Sequence, residues 1–302
     1  MTQRLIGVDV GGTKVSVATI EGATLHEPVV RPTVLTSEDG LVDQLVELVG
    51  AQLPAAAVGV GVPSVVDFAT GTARSSVNVP LQDLPLRRIL GERLGVPVFV
   101  DNDATVAALC EAYDDDLRPL AQSLVLFTVG TGVGGGIVLG GRIYRGATGA
   151  AAEMGHVLVA ADLVAGAPPA APRPPHPAAI ESWAAGRSLD LLARERGLEP
   201  GPPLVAAARE GDARAIDALR ILGERLGVAI ANAINIFDPE QVVVGGGVSA
   251  AGDLLLEPAR AAAQRFVLPG VGTRTQIRLA RWGPSAGVRG AALLAGQEAM
   301  TP

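Results

Sequence analysis

The sequence predicts an α/β protein with a largely parallel sheet in each half. Apolar strand patterns alternate with helical patterns along most of the chain, the order that builds parallel sheets covered by helices. An opening motif of strand, glycine turn and strand recurs about 120 residues later, which is duplication at domain scale rather than a short solenoid period. The 302 residues, 48% hydrophobic and 18% charged, suffice for a substantial core in two domains and exclude disorder as the main state.

Residues 5–9 (LIGVD) are a short apolar run and 15–20 alternate, with Gly11 and Gly12 in the turn between them. They read as strand, tight turn, strand. Apolar side chains at helical spacing (Leu41, Leu45, Leu48, Val49) predict a helix over 41–52. A buried strand follows at 58–62, ended by Pro63, then a helix over 84–94 closed by Gly95. A strand at 96–100 runs into Asp101-Asn102-Asp103 and a helix over 104–113. The acidic run 114–116 with Pro119 reads as an inter-domain joint.

The second half repeats the opening. A strand at 124–129 meets a glycine turn over 130–136 (GTGVGGG), then a strand at 137–139. Residues 168–177 (PPAAPRPPHP) hold six prolines in ten, which excludes helix and central strand. Helices are predicted over 178–196 and 216–235. A strand at 241–244 runs into Gly245, Gly246 and Gly247, and a helix over 286–300 closes the chain.

Composition narrows the function classes. A net charge of −7 argues against nucleic acid or an anionic membrane surface as partner. No run of about 18 residues is apolar and free of charge and glycine, so no membrane span is expected. The single cysteine, Cys110, falls on the apolar face of its helix and reads as core. One cysteine excludes a disulfide framework and any multi-cysteine metal site. The first residues lead directly into a strand pattern, so a cytoplasmic protein is expected.

Three glycine turns follow apolar strands, at Gly11-Gly12, at 130–136 and at 245–247. Such turns let backbone N–H groups approach an anion such as phosphate, although each alone also suits a tight hairpin. Neither the dinucleotide fingerprint nor the Walker A pattern fits their spacing. Asp9 before the first turn suits Mg²⁺ beside phosphate, or turn initiation. The Asp101-Asn102-Asp103 run suits a helix cap, or a carboxylate that takes a proton from a hydroxyl attacking a phosphoryl group. Glu153, His156 and Glu181 supply groups suited to holding a polyol, although His156 equally suits a structural role; His26 and His176 lie in loop-like sequence and are assigned nothing.

In order, DVGGTK at 9–14, GVGVP at 59–63, Asn102-Asp103-Ala104, GTGVGGGI at 130–137, EMGH at 153–156 and GGG at 245–247 resemble the ROK family (repressors, open reading frames and kinases) of the sugar kinase/actin-like ATPase superfamily. The resemblance runs from about residue 5 to 294. It implies two actin-like (ribonuclease H-like) α/β domains with ATP and sugar in an interdomain cleft: 1–118, joined by the C-terminal helix at about 286–302, and 119–285. It implies Asp103 as catalytic base, with Asn78, Asn102, Glu153, His156 and Glu181 as sugar contacts. Gly11, Gly12, Thr13 and Lys14 would face the phosphates with Thr131, Gly132 and Gly134. Gly245, Gly246 and Gly247 would flank the adenosine, and Asp9 would lie near Mg²⁺. A homodimer is expected by the same analogy.

The sequence departs from the family in one stretch. Where members carry three zinc-binding cysteines, this chain has Pro172, Pro174 and Ala179, so no zinc is expected. The proline-rich loop would restrict the chain in the metal's place. Ser64 and Thr105 are smaller departures, standing where Gly and Asn are usual. Only four residues precede Leu5, so the DNA-binding domain of the family's repressors is not expected. The expected activity is an ATP-dependent kinase for glucose or a related hexose. The alternatives are a kinase for a non-hexose polyol or cyclitol, a catalytically silent sugar-sensing protein, or a polyphosphate donor in place of ATP.

Overall fold

A computed structural model describes residues 3–76 and 78–300. The chain divides into two compact units. One comprises Met1–Gln122, Gly136–Ala152 and Arg281–Pro302; the other comprises Ser123–Gly135 and Glu153–Ala280.

The first unit opens with β1 (Arg4–Val10) and β2 (Lys14–Glu21), antiparallel in register from Arg4↔Glu21 to Val10↔Val15. Short β3 (Thr24–Leu25) and β4 (Val29–Pro32) pair with β2. After α1 (Glu38–Gly50), β5 (Ala57–Val62) pairs in parallel with β1. A three-stranded hairpin sheet, β6 (Val65–Asp67), β7 (Thr72–Ser75) and β8 (Gln82–Leu84), precedes α2 (Leu86–Leu94). Then β9 (Val98–Asn102) pairs in parallel with β5 and runs directly into α3 (Asp103–Glu111). Ser37 and Asn102 cap α1 and α3 through side-chain oxygens, and left-handed Gly95 ends α2.

Strand alternation sorts the sheet's two faces. Ile6, Val8 and Val10 of β1 and Val58, Val60 and Val62 of β5 join Leu41, Leu45, Leu86 and Leu90 of α1 and α2 in one core. The other face carries Leu5, Gly7, Ala57 and Gly59, and packs against the C-terminal helix described below.

The remaining strands are β10 (Ser123–Val129), β11 (Val133–Leu139), β12 (Arg142–Ile143), β13 (Gln241–Gly245) and β14 (Gln276–Leu279). They form a sheet ordered β12-β11-β10-β13-β14, the same order as β3-β2-β1-β5-β9. β10, β13 and β14 run parallel. The helices after β12 are α4 (Ile180–Ala184), α5 (Gly186–Glu195), α6 (Pro202–Arg209), α7 (Ala213–Phe237), α8 (Asp253–Phe266) and α9 (Ala286–Ala299). Gly223 and Gly227 bring α7 against the backbone of α8. In the first unit α9 lies so close to the sheet that a methyl on Gly7 or Gly59 would overlap its Val288 or Ala291 carbonyl.

Several sequence expectations are corrected. The second glycine run is a turn only over 130–132, because Gly134, Gly135 and Gly136 lie in β11. At Gly136 a side chain would strike α3 at Ala104 O and Ala108 Cβ, so that glycine serves packing. The helix expected over 178–196 breaks at Ala185, whose ψ of 166° is extended. The segment over 114–119 is tied locally, by Leu120 N–H to Ala112 O and a bridge from Tyr113 to Pro119, and it ends shortly before the division at Gln122 and Ser123. The hairpin sheet, α6, α8 and β14 were not foreseen.

Candidate active site

In the first unit, alternation along β1 turns Asp9 to the same face as Gly7. There its carboxylate meets the first turn of α9, where Gly287 leaves no room for a Cβ. Burial and the neighbouring Asp103 push the Asp9 carboxyl up to about 6, against the pull of Lys14. The chain then turns over Gly11 and Gly12, closed by Gly11 N–H to Lys14 O (2.9 Å) and Thr33 Oγ1 to Gly11 O (2.7 Å). A Cβ on Gly12 would sit 3.1 Å from Asn78 Cβ, so Asn78 stands against this turn. Thr13, Lys14 and Asn78 are exposed.

The β9–α3 junction carries the other carboxylates. Asp103 is the first residue of α3, and its Oδ1 accepts Ala104 N–H (2.8 Å). Asn102 is largely committed to structure. Its Oδ1 accepts Thr105 N–H (3.1 Å) and the Thr105 hydroxyl (3.3 Å), and its Nδ2 donates to Ser64 O (3.3 Å). One Nδ2 hydrogen remains for a ligand. The departures at Ser64 and Thr105 are thus both partners of Asn102. Asp101, which the sequence placed in this run without a role of its own, is almost fully buried and paired with Arg145. No spacing rule links residues 44 positions apart, so nothing in the sequence pointed to this pair.

In the second unit, Glu181 organises the glycine turns. Its Oε2 accepts Val133 N–H (2.8 Å) and its Oε1 pairs with Arg187. Gly132 and Gly155 both approach this carboxylate, and neither has space for a side chain. Gly186 at the start of α5 donates to Gly130 O (2.7 Å), and a Cβ there would lie 3.5 Å from Val248, next to the third turn. Gly246, at φ 83°, packs on the Val129 backbone. Hence 130–132, 245–247 and Glu181 converge at the end of β10. Gly246, Gly247 and Thr131 are exposed there. Glu153 and His156 flank a short 3-10 turn, 3.9 Å apart and both solvent-facing.

The proline-rich loop is irregular, as expected, and is tied by side chains. The His176 ring contacts Pro169 O (3.0 Å) and accepts Ala178 N–H (3.0 Å), and Trp183 Nε1 donates to Pro177 O (2.7 Å). Among the described residues no group of three or more His, Cys, Asp or Glu side chains is placed to hold a metal ion. No described helix is long and apolar enough to cross a membrane.

Two sheets of like strand order, each with a glycine turn after its first strand, define a two-domain α/β ATPase of the actin-like fold. A model of the ROK family matches residues 5–298, and the chain belongs to that family. It is 33% identical to a glucokinase of Halalkalibacterium halodurans, over 97% of this chain and 95% of that one. It is 34% identical to an N-acetyl-D-glucosamine kinase of Aliivibrio fischeri, over 95% and 98%. Among solved structures, a ROK family glucokinase from Streptomyces griseus in complex with glucose and AMPPNP matches with a TM-score of 0.78 at 31% identity, covering 97% of this chain and 99% of that one.

Proposed function

We propose that this protein is an ATP-dependent hexose kinase that transfers the γ-phosphoryl group of ATP to a hydroxyl of glucose or a related hexose. The observation that carries this reading is the β9–α3 junction. A carboxylate at the first position of a helix, beside a second carboxylate and a glycine turn, is the set that phosphoryl transfer to an alcohol requires.

In this reading Asp103 accepts the proton of the attacking hydroxyl as the new O–P bond forms and ADP leaves. Gly11, Gly12, Thr13 and Lys14 meet the phosphates through N–H groups and charge, with Thr131, Gly132 and Gly134. Gly245, Gly246 and Gly247 flank the adenosine. Asn78, Glu153, His156 and the remaining hydrogen of Asn102 hold sugar hydroxyls. Glu181 positions the second turn through Val133 and has lone pairs left for the sugar.

Asp9 fits Mg²⁺. Its charged form is opposed by burial and by Asp103, a conflict that a divalent cation relieves, and magnesium takes one or two carboxylates together with phosphate oxygens. When bound, the ion neutralises charge on the transferring phosphoryl group.

The test is Asp103→Asn. The variant keeps the fold, and glucose binding by calorimetry is retained, while kcat falls at least about 100-fold. Near-full kcat would remove Asp103 from the reaction. The similarity to an N-acetyl-D-glucosamine kinase favours one second acceptor, N-acetylglucosamine, compared with glucose at equal concentration.

A further inference from the structure

We propose that Arg145 is a positioning residue for phosphoryl transfer: through the buried carboxylate of Asp101 it holds the 102–103 segment that presents the proton-accepting group. The proposal rests on the reading of Asp103 as base.

The Asp101 carboxylate is 2% exposed. It lies on the same face of β9 as Phe99, opposite Val98 and Val100. Its two oxygens do different work. Oδ2 accepts Arg145 Nε (2.7 Å), and Oδ1 accepts the N–H of Asn102 (2.9 Å). The same carboxylate therefore joins a guanidinium to the backbone one residue before Asp103. A buried charge is tolerated only when paired, and removing one partner leaves the other at its full desolvation cost.

Arg145 is itself fixed on three sides. Its guanidinium lies 3.4 Å from the Phe68 ring centroid and its Nη2 donates to Glu298 of α9 (3.2 Å). Glu298 is also held by Arg142 (3.1 Å). A third cation at this cluster, Arg87, stacks on Phe68 at 4.9 Å and donates hydrogen bonds to the Phe68 and Ala69 carbonyls. Arg145 thus ties together the catalytic junction, the segment following β6 and the last turn of α9. A planar fork that stacks and donates at once is the geometry arginine supplies and lysine does not.

Without Arg145 the Asp101 charge is left buried and unpaired; turning toward water or taking up a proton, the carboxylate weakens its hold on Asn102 N–H and shifts the junction. Asparagine at 101 would keep an oxygen for Asn102 N–H and need no counter-charge. That difference separates positioning from general loss of packing. The experiment is a cycle of wild type, Arg145→Met, Asp101→Asn and the double variant, with Mg-ATP and glucose, or whichever hexose the wild type turns over fastest. Arg145→Met is expected to lose about 10- to 100-fold in kcat, the scale of a small misplacement of a reacting group, with KM for both substrates within about threefold. The double variant is expected to regain at least about tenfold where Arg145→Met loses 100-fold, a coupling typical of residues in direct contact.

An unchanged kcat in Arg145→Met would overturn the proposal, as would a low kcat that Asp101→Asn does not rescue in folded protein. If Arg145→Met does not fold, Arg145→Gln, which also removes the charge, is compared with its own Asp101→Asn partner and read the same way. Full activity of Asp103→Asn would overturn the base assignment, and this proposal with it. An inactive Asp103→Asn beside a fully active Arg145→Met would overturn this proposal alone.

Discussion

Asp9 carries a carboxyl whose chemistry departs from that of a free side chain. Its carboxyl is raised to about 6 by burial first and by Asp103 second. A raised acid stabilises the folded protein in its protonated form. That stability is present at low pH and is lost as pH climbs from about 4 through 6, a change of about 3 kcal/mol for two pKa units. Asp9→Asn is therefore expected to raise the melting temperature of the ligand-free protein at pH 8 and to leave it nearly unchanged at pH 4, while abolishing turnover. Scanning calorimetry at the two pH values checks this, and an equal effect at both would contradict the assigned charge conflict. At this scale the sequence was legible where chemistry is local. Asp103 stands where the Asn102-Asp103-Ala104 motif put it, at the start of a helix. It was illegible where partners are distant: Asp101 and Arg145 meet only once β9 and the segment after β12 are folded. The commitment of Asn102 to Thr105 and Ser64 was visible only in its capping half.

Among the elements, glycines decide how closely backbones approach, in two different ways. Gly132 sits against the Glu181 carboxylate. Gly132→Ala would push that carboxylate off Val133 N–H. Losing that part-buried hydrogen bond misplaces the second turn, and kcat/KM for ATP is expected to fall by up to about tenfold. The melting temperature should stay within a few degrees, and steady-state kinetics with ATP varied reads the effect. Gly59 is a packing glycine, because a methyl there would overlap Ala291 O of α9. Gly59→Ala is expected to cost about 3 kcal/mol, at the upper end for overpacking a core, measured by denaturant midpoint. Helices α1, α2 and α9 and the parallel strands other than β14 were legible from periodicity, with boundaries moved by a few residues. The break at Ala185 was not, because residues 178–196 keep a helical pattern throughout and the interruption comes from Gly186 reaching Gly130 O. Strands of three or four residues such as β6 and β8 are too short to show alternation, and Pro258 inside α8 disguised that helix.

For the whole molecule, the repeated strand order is the fact that organises the rest. The same five-strand order occurs twice, with a glycine turn after the first strand of each. The duplicated motif in the sequence announced this before any contact was known. What the sequence did not announce was that 136–152 belongs to the first unit although it follows the second glycine turn. Arg145 lies in that segment. The central claim, that these elements make a hexose kinase, is tested most directly by ADP release from Mg-ATP. The acceptor panel is glucose, mannose, fructose, N-acetylglucosamine, N-acetylmannosamine, allose and several cyclitols. The account predicts hexose-dependent turnover well above the rate without sugar, strongest for glucose or a close relative. Silence with every hexose, from folded protein that binds ATP, would contradict it.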